Sequence, residues 1–333
     1  MTKTLLGGLA GAAALTLGAA LPASAQSLTV VLSYIPNVEN FGALYAREKG
    51  YFKEAGLDVK LIPGGNGIDQ VQMVSSGIAQ LGMTAAESVV AAVDKGAPLK
   101  VIAGQFQTAP TAMTCRKDSG ITSPKQVVGR KLGVKQAAQV FATAFLGKNG
   151  VNIADVKVTP IGNSDISNII AGTVECMITT FAFNEPRLIE QAGVPVNVLP
   201  LGSFGMNSQS GSWIVRNDFL EKPENKKILA AYMKAEAKAW TEYFKDPAAA
   251  AKFIVDGKFN DGLNIDQQTF QAVQQANYMK SPLTAEKGIL WVDPKTWEET
   301  TANALEAKTA SKKIDPAAIT TTEILEMAGV PKI

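Results

Sequence analysis

Between residues 28 and 103 one pattern recurs four times: a short apolar run rich in β-branched residues, a break at Gly or Pro, then helical spacing. The runs lie at 28–32, 59–62, 80–83 and 99–103. Strands joined through helices run parallel, and a parallel sheet is stable only when helices cover it. The alternation therefore predicts an α/β fold with a largely parallel sheet. Phe41, Leu44 and Tyr45 share one face of a helix over 41–49, and Gly50 suits the left-handed position that ends it. Pro63-Gly64-Gly65-Asn66-Gly67 closes the second strand, and a helix over 69–76 carries Val71 and Val74 on one side. Thr84-Ala85-Ala86-Glu87 reads as a capping box opening a helix to Lys95.

A second series begins near Thr111, with strands expected at 111–116, 131–134, 156–160 and 176–179 and helices at 138–146, 166–170 and 185–191. Residues 211–216 have the pattern of a strand returning to the first series. Beyond Lys222 the chain reads as helices over 225–244, after Asp246-Pro247, over 266–276 and over 294–308. The sheet pattern crosses twice, near 105–111 and 202–211, with no loose linker at either place. Two crossings predict a bilobed protein with a cleft. Residues 26–108 begin lobe 1, residues 109–204 form an inserted lobe 2, and residues 205–333 return to lobe 1 and add the C-terminal helices.

Residues 1–25 are expected to be an export signal. Lys3 is followed by an apolar stretch over 5–21, and Ala23-Ser24-Ala25 forms a small-residue cleavage site. Pro22 and that site argue against a membrane anchor, and no Cys stands there to carry a lipid. No later stretch approaches the ~18–20 uninterrupted apolar residues of a spanning helix. A soluble periplasmic protein beginning at Gln26 is the expectation.

Composition then narrows the chemistry. With no His there is no imidazole triad, no imidazole acid–base catalyst and no His-containing zinc site. Two Cys cannot build a zinc ribbon or an iron–sulfur site. No metal or cofactor is expected. A balance of 32 basic against 30 acidic residues gives no nucleic-acid surface. Cys115 and Cys176 lie in apolar, strand-like runs of a chain bound for an oxidising compartment. Buried free thiols are expected in preference to a bridge, because spacing alone supplies no Cα separation.

The segment 45–59, Tyr45-Ala46-Arg47-Glu48-Lys49-Gly50-Tyr51-Phe52-Lys53-Glu54-Ala55-Gly56-Leu57-Asp58-Val59, resembles one found in substrate-binding proteins of ABC importers of the nitrate, taurine and thiamine-precursor class. The likeness continues through Gly64-Gly65, Val74-x-x-Gly77-x-x-Gln80-Leu81-Gly82, Gly96-x-Pro98-Leu99-Lys100-Val101-Ile102-Ala103 and Ser119-Gly120-Ile121-x-Ser123-Pro124, covering residues 28–220 in order. It implies a type II periplasmic-binding-protein fold of two α/β lobes joined by two crossings. Tyr34-Ile35-Pro36-Asn37-x-x-Asn40 and Phe183-Asn184-Glu185-Pro186 are similar to segments of the subgroup that binds thiamine pyrimidine precursors or riboflavin. There, these loops face an aromatic heterocycle. Pyrimidine-precursor binders often carry His where this chain has Asn40.

In open α/β sheets ligands sit beyond the carboxyl ends of the strands. That rule selects the loops at 34–41, 64–67, 84–87, 135–138 and 180–185. Glu185 suits a ligand with N–H donors or positive charge and repels an anion, or it complements a helix dipole. Asn37 and Asn40 offer paired donor–acceptor bonds, or turn and cap chemistry, and Asn184 belongs to the Asn-Glu segment. Tyr34, Phe41 and Phe181 are candidates for an aromatic wall, against core packing; Phe183 is read as core. Thr84 is a cap before it is a contact. Gln107 and Gln136 are loop candidates, and Met206 and Asn207 line the pocket or serve the hinge.

The expected function is the binding component of an ABC importer. It delivers a small nitrogen heterocycle (a thiamine pyrimidine precursor, riboflavin or a related base) to an inner-membrane permease, acting as a monomer without cofactor. An alkanesulfonate, taurine or nitrate binder of the same class is the alternative. An enzyme is disfavoured, since the fungal pyrimidine synthase of this fold uses a His and a Cys-rich segment that are absent here.

Overall fold

The computed structural model describes residue 1 and residues 25–65, 67–135, 138–162 and 165–333. The expected signal segment lies outside the described residues except at its two ends, and so does Gln136. Strands β1 (Gln26–Val31), β2 (Leu57–Ile62), β3 (Leu81–Thr84) and β4 (Leu99–Gly104) alternate with helices α1 (Phe41–Glu48), α2 (Tyr51–Glu54), α3 (Gln70–Ser75) and α4 (Ala86–Asp94). The chain then enters a second series. It holds β5 (Thr111–Arg116), β6 (Lys131–Lys135), β7 (Lys157–Ile161), β8 (Cys176–Phe181) and β9 (Val196–Pro200), with α5 (Gln139–Lys148), α6 (Ser167–Ile170) and α7 (Glu185–Gln191). Strand β10 (Ser212–Arg216) precedes α8 (Asn217–Leu220), α9 (Pro223–Lys245), α10 (Pro247–Asp256) and α11 (Ile265–Tyr278). The chain ends in α12 (Pro282–Lys287), α13 (Pro294–Glu306), α14 (Pro316–Ile319) and α15 (Glu323–Ala328).

Two five-stranded sheets result, ordered β2-β1-β3-β10-β4 and β7-β6-β8-β5-β9. In each, three neighbouring strands are parallel and one antiparallel strand is inserted: β10 between β3 and β4, and β5 between β8 and β9. The fold is a bilobed α/β fold, and the returning strand at 212–216 pairs in the first sheet as its pattern required. Backbone hydrogen bonds join the crossings, from Gln105 N to Gly211 O (2.9 Å) and from Phe106 N to Ser210 O (3.1 Å).

The first sheet carries the larger core. Trp213, Trp240, Trp297, Tyr232, Tyr243 and Phe41 are fully buried in or behind it. Helix α1 lies so close to α9 that a Cβ at Gly42 would stand 2.2 Å from the Trp240 indole nitrogen, so no larger residue fits there. Within this core Glu236 accepts from Trp240 Nε1 (3.3 Å), and burial raises its carboxyl pKa to about 8.

Two expectations are corrected and one strand is added. Cys115 and Cys176 are bridged rather than free. They are paired residues of antiparallel β5 and β8, with Cα atoms 4.0 Å apart. The next pair carries the ladder bond, Arg116 N to Glu175 O, so the cysteines face each other at a non-hydrogen-bonded position, where side chains approach most closely. Thr84 caps no helix: it ends β3, and α4 begins after Ala85, which makes no side-chain cap bond. Strand β9 had no counterpart in the sequence pattern, because it is a half-exposed edge with Pro at its end.

Candidate ligand site between the two sheets

A cavity of about 400 Å³ lies between the sheets, beyond the carboxyl ends of β1, β2 and β3 on one side and β6 and β8 on the other. The first wall is made by Ser33, Tyr34, Glu39, Gly65, Ile68, Gln70, Thr84, Glu87 and Ser88. The second is made by Thr111, Lys135, Val140, Phe141, Thr179, Phe181, Asn184 and Glu185. Gly64 lets the β2 loop press on the β1 loop: a Cβ there would lie 2.4 Å from Leu32 O, and its N–H bonds Tyr34 O (3.0 Å).

The second wall is electrostatically complete. Glu185 opens α7 and is 3% exposed. Its Oε1 pairs with Lys135 Nζ (3.1 Å), and its Oε2 accepts the Phe181 backbone N–H (2.8 Å). The helix N-terminus favours the same negative charge. Lys135 also donates to Thr179 O (3.0 Å). Thr179 holds φ 62, a left-handed conformation strained for a β-branched residue, beside the register shift of β5 against β8. Such strain concentrates at ligand sites, and here it directs a carbonyl onto the ammonium group.

The first wall is not complete. Glu39, 6% exposed, sits in a 3-10 helix (Val38–Asn40) and accepts the Ser33 hydroxyl on Oε1 (2.8 Å). Burial, then the Glu185 charge, push its carboxyl up to about 7, while the Ser33 bond and Lys135 oppose this. Burial likewise raises Glu87, against a Ser208 hydrogen bond, and one Glu87 carboxyl oxygen has no partner among the described residues.

Of the residues expected from the sequence, Tyr34, Thr84, Phe181, Asn184 and Glu185 stand together at the cavity. Phe183 packs in the core. Others serve elsewhere. Asn37 caps the 3-10 helix, accepting Glu39 N (2.8 Å), and Asn40 donates back to Ile35 O (3.3 Å). Phe41 is buried among Tyr45, Trp240 and Tyr243, because helical spacing turns it away from the loop. Gln107 bonds Gly104 O and Trp291 O at the first crossing. Met206 is packed in the second core; it and Asn207, which accepts Ala109 N (3.4 Å), border a separate cavity of about 10 Å³.

Sequence reasoning missed Glu39, Glu87, Lys135, Ser33 and Thr179. Lys135 carried a readable signal, a charge ending the apolar run Leu132-Gly133-Val134 at a site where burial demands a partner. Among the described residues no group of three or more His, Cys, Asp or Glu can hold a metal, and no helix is long and apolar enough to cross a membrane.

A family model described as NMT1/THI5 like matches residues 37–250. The riboflavin-binding protein RibY of Chloroflexus aurantiacus is 25% identical over 286 residues, covering 83% of this chain and 79% of that protein. The formylaminopyrimidine-binding protein of Halalkalibacterium halodurans is 21% identical, covering 79% of this chain and 78% of its own. A Saccharomyces cerevisiae protein named as a 4-amino-5-hydroxymethyl-2-methylpyrimidine phosphate synthase is 26% identical, over 78% of this chain and 79% of its own. The alkanesulfonate-binding protein SsuA of Xanthomonas axonopodis pv. citri superposes with a TM-score of 0.67 at 12% identity, covering 90% of this chain and 99% of its own.

Proposed function

The chain belongs to the NMT1/THI5-like family, and from that premise we propose that it captures a small nitrogen heterocycle (a thiamine pyrimidine precursor, riboflavin or a related base) for an ABC importer. The coarser role, a substrate-binding protein of the importer type, follows from the family and its binding-protein relatives. One observation carries the choice of ligand. The described lining residues include three carboxyl groups, Glu39, Glu87 and Glu185, against one ammonium group, Lys135, already paired. A sulfonate or nitrate in that cavity would find the one ammonium group among the described lining residues already paired, and each carboxyl that is ionised would repel it at low dielectric. A neutral or basic heterocycle would meet acceptors, with Tyr34, Phe141 and Phe181 as the aromatic part of the cavity lining.

In this proposal lobe 1 comprises 26–108 and 205–333, and lobe 2 comprises 109–204. The two close by hinge motion on the ligand, which stabilises the closed population. The exported monomer, cleaved after Ala25, then docks on an inner-membrane permease. No turnover is proposed, because the chain has no His and the one lysine among the described lining residues is engaged in a salt bridge. A thermal-shift screen decides the ligand class. Stabilisation by pyrimidines or flavins is expected. Stabilisation by taurine, alkanesulfonates or nitrate with none by heterocycles would sink the proposal.

A further inference from the structure

The cavity's second wall satisfies its own charges, whereas Glu39 on the first has no cation of its own. Among the described residues no ion pair reaches it, and both Glu185 oxygens and the Lys135 ammonium are already engaged with each other, Phe181 N or Thr179 O. Glu39 is nonetheless held firmly. Its own N–H bonds Asn37 Oδ1 and its carbonyl accepts Gln105 Nε2 (2.9 Å). The preceding Val38 is clamped at N by Gln268 (3.0 Å) and at O by Gln275 (3.2 Å). Buried amides from two distant segments therefore fix the backbone that carries this carboxyl at the cavity, where the Ser33 hydroxyl donates to its Oε1 (2.8 Å).

We propose that Glu39 reads the ligand's polar edge as a protonated carboxylic acid, selecting heterocycles in which an N–H donor stands beside an acceptor. This rests on the nitrogen-heterocycle reading above. A neutral carboxyl carries one O–H donor beside one carbonyl acceptor, the complement of an amidine or lactam edge. An ionised carboxylate offers acceptors only and would repel the ring's own acceptor. Glu87 on α4 and Tyr34 of the β1 loop line the same cavity. Burial is the largest influence favouring the proton on Glu39, and Glu185 from α7 disfavours a second negative charge. Lys135 from β6 opposes them, but its charge is shared with Glu185. A carboxyl titrating at about 7 takes the proton with little penalty near neutrality. If the ligand needs that proton, affinity is flat below about pH 7 and falls about tenfold per pH unit above it.

Isothermal calorimetry on the full chain tests this with 4-aminopyrimidine, 4-pyrimidinone and unsubstituted pyrimidine, in two buffers of different ionisation enthalpy from pH 6 to pH 9. The amino and lactam probes separate amidine from lactam edges, and both are expected to bind about tenfold or more tighter than pyrimidine. At pH 8 binding should take up close to one proton. Glu39→Gln, whose amide keeps a donor beside an acceptor, should retain affinity and lose both the pH slope and the proton uptake. Glu39→Ala should lose about tenfold or more and also be flat, with thermal unfolding confirming that both variants fold. The inference fails if Glu39→Gln keeps the wild-type slope or if Glu39→Ala binds as wild type. Heterocycle binding that ignores Glu39 overturns this inference alone. Binding of sulfonates but of no heterocycle removes the ligand class, and this inference with it.

Discussion

The two sheets share one strand order, and they are held together by different means. The first is backed by α9 and the C-terminal helices, with three tryptophans in its core. The second has smaller apolar clusters and is stapled by Cys115–Cys176. Their cleft walls differ in the same spirit. The second wall pairs its carboxylate with an ammonium group and a backbone N–H, and so is finished before any ligand arrives. The first keeps Glu39 buried and Glu87 half-buried with no ion pair among the described residues, and only the Ser33 and Ser208 hydrogen bonds oppose the cost of that burial. One wall thus compensates its own charges, and the other leaves carboxyl groups without a cation among the described residues.

Removing the staple should break the contrast most strongly. The bridge closes a loop of 61 residues, and chain entropy for such a loop amounts to about 4 kcal/mol. Denaturant unfolding with and without reductant checks this; an unchanged midpoint after verified reduction would show that the second sheet needs no staple. Lys135→Met comes next. It leaves Glu185 buried without its cation, a loss of about 3 kcal/mol in unfolding free energy at pH 8. Stability equal to wild type would mean that this wall is not self-compensating.

Glu185→Gln acts on ligand capture. Tenfold or greater loss of heterocycle affinity is expected, about 1.4 kcal/mol or more, whereas an anion site would show no loss or a gain. Calorimetry distinguishes these outcomes. The smallest effect per step is the pH dependence of the ligand-free protein. Glu39 and Glu236 titrate at about 7 and about 8 when folded, above their ordinary 4.5. The folded state therefore binds more protons than the unfolded state between those values. Stability contributed by each group is fully present below about pH 4.5, falls as pH rises, and levels off above the folded value, by at most about 1.4 kcal/mol per pH unit and group. Glu39→Gln should flatten the curve up to about 7, and Glu236→Gln the part reaching about 8. Stability that rises over that window would contradict both assignments.

Much of the fold was legible because it is written locally. Runs such as 28–32 and 99–103 alternate with helical spacing, and that period alone dictates parallel strands under helices. Strand β9 escaped because an exposed edge needs no continuous apolar run. The site was half legible. Strand ends point to Tyr34, Thr84 and Phe181, and the Asn-Glu segment points to Asn184 and Glu185. Phe41 was misplaced because a residue beginning a helix next to a site loop can face either way, and the packing of α9, almost two hundred residues on, decides.

By itself, then, the sequence determined the alternation of strands and helices, the two crossings, the segments that mark the family and the end of the sheets where the cavity lies. Only the tertiary structure decided that Cys115 meets Cys176, that Lys135 belongs to Glu185, and that Glu39 stands without an ion pair among the described residues, its backbone clamped from Gln105, Gln268 and Gln275. The physical reason is range. Hydrophobic periodicity acts between neighbours a few residues apart, whereas charge compensation, thiol pairing and amide clamping depend on distances between residues far apart in the chain, which exist only once the sheets have formed.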